Sequence, residues 1–163
     1  MQKITNERMV IIMADLATTN GNVLSTGSDF QIPTGFICTF DISTVEGKIK
    51  LGQALNGAVT MRDKVGDVLR ATNFVTTPGV RSRTGEACTN SYILCDDGTI
   101  YMTQSDGIAK SIPVNVGLCT MVTGNGNEKQ FVNPVELGIG FRIEERETQN
   151  GNTIKLLVPV ALA

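Results

Sequence analysis

From Asp67 onward apolar residues recur at every second position, the period of a half-buried strand. Leu69, Ala71 and Val75 fall on one face of the first such run, and Arg70, Thr72 and Phe74 on the other. Residues 90–95 and 99–104 flank Asp96-Asp97-Gly98, where glycine supplies the positive φ of a tight hairpin turn. A second hairpin is expected from residues 135–147 and 152–160 around Asn150-Gly151, with Ile139, Phe141 and Ile143 alternating with Gly140, Arg142 and Glu144. Pro134 precedes its first limb, where a missing N–H costs the ladder little. Residues 8–13 and 36–42 read as further strands, and Asn20-Gly21, Gly27 and Pro33 punctuate the first 35 residues. Ser43-Thr44-Val45-Glu46 has capping-box spacing, so a helix is expected from there through about residue 55. Val45, Ile49 and residues 51–55 form its apolar side, and Asn56-Gly57 stops it. A short helix from Ser105 is expected to break at Pro113.

About five to seven strands, mostly in hairpins, with no strand–helix alternation, point to a mainly β fold. The natural architecture is a small, closed or nearly closed antiparallel β-barrel with one or two short helices. The expected division is an N-terminal arm or extra strand over residues 1–19 and a barrel domain over residues 20–163. A chain of 163 residues, 41% hydrophobic and 18% charged, is long enough for one real core.

Chemistry narrows the function by subtraction. Histidine is absent, and Cys38, Cys88, Cys95 and Cys119 lack the close pairing of metal ligands, so no metal and free thiols are expected. Residues 9–13 are too short an apolar run to span a membrane, and no secretory signal precedes them, which suits a reducing cytoplasm. No P-loop or G-x-S-x-G pattern occurs. Asp96-Asp97 reads as a turn, Glu144, Glu145 and Glu147 as an exposed strand end, and Gly124-Asn125-Gly126-Asn127 as a loop rather than a phosphate cradle. An enzyme, a cofactor and a small-molecule substrate are therefore not expected. The net charge of −2 also argues against a broad basic face.

Aromatic placement pulls the other way. If Asp97-Gly98 is a two-residue loop, Cys95 opposes Ile100, Leu94 opposes Tyr101, Ile93 opposes Met102 and Tyr92 opposes Thr103. Opposed residues share a face. Ile93, Cys95, Ile100 and Met102 then face the core, while both tyrosines, Tyr92 and Tyr101, lie on the other face. Phe74 falls on the side of Arg70. Unpaired bases stack on such rings, at about 1–3 kcal/mol each, while cations track the phosphates. Arg81 and Arg83, in an expected loop over residues 76–86, and Lys48 and Lys50 on the first helix complete the candidate site. The competing reading packs the rings under a helix and leaves the cations solvated.

The run Phe40-Asp41-Ile42-Ser43-Thr44-Val45-Glu46-Gly47-Lys48-Ile49-Lys50, then Ala54-Leu55-Asn56-Gly57, Asp97-Gly98-Thr99-Ile100-Tyr101 with Ser105, and Asn150-Gly151-Asn152 carries a resemblance. In this order the chain resembles the small single-stranded DNA-binding proteins of tailed phages of Gram-positive bacteria, including the type of protein-primed Bacillus phages. The resemblance implies an OB-like fold, sequence-independent binding of single strands exposed in phage DNA replication, and no catalysis. It places family aromatics at Tyr101 and Phe74; Tyr92 comes from the hairpin geometry alone. The chain departs from the pattern in its first 20 residues, in a loop 76–86 without aromatics, and in the Gly/Asn-rich stretch 121–130. Action in the cytoplasm of a bacterial host, and homo-oligomers formed through the N-terminal arm, complete the expectation. The alternative is a structural or protein-interaction β-domain, such as a virion or scaffold component, that binds no nucleic acid.

Overall fold

The computed structural model describes residues 36–122 and 128–163; the expected arm and strand within residues 1–35 lie outside them, as do residues 123–127 of the Gly/Asn-rich stretch. In chain order the elements are α1 (Val45–Gly57), β1 (Val59–Thr60), β2 (Val68–Leu69), β3 (Ala71–Val80), β4 (Ala87–Cys95), β5 (Ile100–Thr103) and α2 (Asp106–Leu118). They continue with β6 (Thr120–Val122), β7 (Lys129–Phe131), a 3-10 turn over Pro134–Leu137, β8 (Ile139–Glu147) and β9 (Thr153–Ala161). The mainly β expectation holds. Among the described residues no closed barrel forms: the strands make a four-stranded sheet in the order β1-β5-β4-β3, a three-stranded sheet β2-β8-β9 and the pair β6-β7. One pairing, β1 with β5, is parallel.

Only Arg70 separates β2 from β3, so one run of chain leaves the three-stranded sheet and enters the four-stranded one at that residue. The core gathers Leu69, Ala71, Phe74, Ile93, Phe141, Ile143 and Leu157 with Ile108 and Ile112 of α2. Phe74 meets Phe141 edge-to-face at 5.3 Å between centroids, a favoured aromatic geometry.

Helix α2 seals the edge of β9. Gly107, Ser111 and Asn115 recur every four residues and so lie on one stripe. A side chain at Gly107 would collide with the Lys155 carbonyl. The Leu157 N–H donates to the Ser111 hydroxyl at 3.2 Å, and the Asn115 amide donates to the Leu157 carbonyl at 3.1 Å. Backbone groups that would template another strand are satisfied by a helix instead.

Several local expectations change. Residues 36–42 form no strand; they contribute the single bridge Cys38 to Val75 and backbone bonds of residues 37 and 39 to β3. Thr44 rather than Ser43 caps α1, accepting from the Gly47 N–H at 3.0 Å, while Glu46 pairs with Lys50 at 3.6 Å instead of reaching back. The buried side of α1 is Gly47, Leu51 and Ala54, and Val45 and Ile49 are 73% and 55% exposed. The expected loop at 76–86 shrinks, because β3 and β4 stay paired out to Val80 and Ala87. Pro113 sits inside α2 without ending it. The first limb of the last hairpin starts at Ile139, after the 3-10 turn.

Candidate functional site

Two irregularities in the strands decide where the aromatic side chains go. In β3 the pairing with β4 shifts between Ala71 and Asn73, a bulge at Thr72. One extra residue reverses the alternation beyond it. Leu69, Ala71 and Phe74 therefore face the same core, and Phe74 is 0% exposed. Its expected place on the outer face beside Arg70 is corrected: a ring without accessible surface offers no base a platform.

The β4–β5 turn supplies the second irregularity. Gly98 adopts φ 89°, its N–H donates to the Cys95 carbonyl at 3.0 Å, and the Cys95 N–H donates to Thr99 at 2.9 Å. The loop thus has three residues, with glycine in the left-handed position, rather than two. Ile93 pairs with Tyr101 and Tyr92 with Met102, one residue out of the expected register. A slip of one exchanges the faces. Tyr101 joins Ile93 on the core side, whereas Tyr92 turns to the opposite face beside Val75 and is 8% exposed. Burial raises the Tyr92 hydroxyl above its ordinary value. The two tyrosines share no surface.

Tyr101 nonetheless reaches solvent, because it lies where the core opens. A groove of about 350 Å³ runs between the β2–β3 corner, the β4–β5 turn and the segment before β2. Its apolar lining is Val68, Leu69, Cys95 and the partly buried Tyr101. Its charged lining is Lys64, Arg70, Asp67, Asp96 and Asp97. The Lys64 ammonium stands 5.2 Å from the Tyr101 ring centroid. Arg70 donates through Nε to Asp96 at 2.6 Å, and the Asp96 N–H donates to the Arg70 carbonyl at 2.9 Å, so the corner and the turn are tied twice. The Thr99 N–H on Asp97 holds that carboxyl below the usual range. Burial, then the charges of Asp97 and Asp96, pushes the Cys95 thiol up to about 12.

The groove unites Tyr101 and Arg70 of the expected residues. It adds Lys64, which sequence reasoning passed over: nothing in the local pattern connects residue 64 with a ring 37 positions later. Arg81 and Arg83 sit in the turn at the far end of β3, a strand length on the order of 30 Å from Arg70. Arg81 is held by Asp106 at 2.9 Å. Arg83 is exposed and has no partner among the described residues. Lys48 and Lys50 are on α1, where Lys50 pairs with Glu46 and lies 5.9 Å from the Phe40 ring centroid. None of these four lines the groove. Among the described residues no cluster of metal-binding side chains occurs, and no helix is long and apolar enough to cross a membrane.

A family model described as phage single-stranded DNA-binding protein matches residues 31–136 of the chain. The match takes in the segment from Phe40 through Ser105 that carries the sequence resemblance; the closing Asn150-Gly151-Asn152 motif lies beyond it. No curated protein and no solved structure matches the chain.

Proposed function

Since the chain belongs to the family of phage single-stranded DNA-binding proteins, we infer that the groove at Tyr101 is where a single strand engages it. The protein binds single-stranded DNA. The observation that carries the placement is the exposed part of the Tyr101 ring in a groove that also holds two cations. A cation over an exposed ring contributes about 0.5–1 kcal/mol. A stacked base contributes about 1–3 kcal/mol. A base therefore displaces Lys64 from the ring face at a net gain, and the freed ammonium meets the adjacent phosphate. Arg70 spends only Nε on Asp96, so its terminal nitrogens are left for a second phosphate.

Stacking accepts any base, so binding is broadly sequence-tolerant and protects strands exposed during phage DNA replication. The protein acts by binding and not by catalysis, in the cytoplasm of the bacterial host. The single run β2–β3, shared by two sheets, supports an OB-like barrel opened between them. Residues 1–19 act as an arm that pairs with a neighbouring subunit, residues 20–163 as the binding domain, and Arg81, Arg83, Lys48 and Lys50 as outlying phosphate contacts along a longer path. Nothing in the fold favours a virion or scaffold component. Anisotropy titration with a labelled single strand and the matching duplex tests the reading: sub-micromolar binding to the strand and much weaker binding to the duplex are expected. No binding of the strand at tens of micromolar would overturn it.

A further inference from the structure

The groove contains more negative than positive charge: Lys64 and Arg70 stand against Asp67, Asp96 and Asp97. A surface built only to follow phosphates would not be lined this way, because a phosphate beside a carboxylate is repelled. The groups of a nucleic acid that a carboxylate attracts are the N–H donors of the bases. With phosphates drawn to Lys64 and to the free nitrogens of Arg70, the carboxylates not paired with a cation are left to face the base edge.

The three carboxylates are not equivalent. Asp96 is committed to Arg70 at 2.6 Å, and Asp97 accepts from the Thr99 N–H at 2.9 Å within its turn. Asp67 has no side-chain partner among the described residues, yet its backbone is fixed on both sides. Its N–H donates to the Lys64 carbonyl at 2.9 Å, and its carbonyl accepts from the Ile143 N–H at 3.0 Å. An exposed carboxylate on a fixed backbone, with no side-chain partner among the described residues, thus lines the same groove as the Tyr101 ring.

We propose that Asp67 adds to this sequence-tolerant groove a modest preference for bases bearing an exocyclic amine, with cytosine favoured over thymine. This rests on the single-strand reading of the groove. Cytosine presents its N4 amine as a donor, whereas the one N–H of thymine lies between two carbonyl oxygens whose lone pairs oppose a carboxylate. The two pyrimidines have the same ring size, so the difference isolates the amine from stacking area.

Competition by oligo-dC and oligo-dT of about 12 nucleotides against a labelled mixed-sequence strand measures the preference on the full chain. Oligo-dC is expected to compete about fivefold more strongly, at the low end for a base-specific hydrogen bond. Asp67→Asn, isosteric and at an exposed side chain, is expected to bring the ratio to about one, since its amide also donates to the thymine O4. Equal or tighter binding of oligo-dT by the unmodified protein overturns the proposal, as does an unchanged ratio in Asp67→Asn. Failure of both oligomers to compete, with no binding of the labelled strand, removes the single-strand reading of the groove itself.

Discussion

Phe74 and Tyr101 both point toward the core side of the four-stranded sheet, and they end in different surroundings. Phe74 is enclosed by Phe141 and Phe131. Phe74→Ala empties a closed site and is expected to cost about 3–5 kcal/mol of stability in urea unfolding. A loss under 1 kcal/mol would mean that the ring is not enclosed. The cysteines test burial independently. Desolvation raises Cys38 to about 11 and Cys95 to about 12, so both hold their protons in the folded chain. Any stability linked to these protons is intact below the ordinary thiol value of 9.0 and declines as pH rises from there through about 11 to 12. At pH 8 a disulfide reagent such as dithiobisnitrobenzoate is expected to label Cys38 and Cys95 slowly until denaturant is added. Rapid labelling of either in the native protein contradicts that surrounding.

At the scale of elements, the hairpins and their turns could be read from alternation and from Asp97-Gly98 and Asn150-Gly151, but the faces of β3 and β5 could not. A bulge at Thr72 and a three-residue rather than two-residue turn each shift the phase by one. Neither leaves a sequence signal that outweighs the simpler pairing, because Asp-Gly suits both turn types. Helix α1 departs from its sequence pattern in a related way. Its amphipathic pattern includes Val45 and Ile49, which stay exposed, because the burial of Gly47, Leu51 and Ala54 sets its orientation. Pro113 does not break α2, which is held along β9 by Ser111 and Asn115. The latter contact carries a prediction. Asn115 is 1% exposed and satisfies the Leu157 carbonyl, so Asn115→Ala is expected to cost about 1–3 kcal/mol. Urea midpoints unchanged from the parent would show that the edge of β9 is sealed by other means.

For the molecule as a whole, a net charge of −2 appears at odds with a nucleic-acid binder until the cations are located. Two of them stand in the groove, and several others are held by carboxylates, as in Arg81 with Asp106 and Arg146 with Glu144. On the proposed reading, affinity comes from a ring and few phosphate contacts, with Tyr101 assigned the largest share. The sequence resemblance had singled out Tyr101 and Phe74 together; burial of Phe74 leaves Tyr101 as the one of the two able to stack. The groove itself was not legible, because it is made by bringing residues 64–70 beside residues 95–101, and no local pattern encodes that approach. Anisotropy titration of one labelled single strand with the parent chain and with Tyr101→Ala, at one salt concentration, bears most directly on this account. Tyr101→Ala is expected to keep its circular dichroism spectrum and to bind more weakly by about 1–3 kcal/mol. A folded Tyr101→Ala protein that binds the strand as tightly as the parent would contradict it.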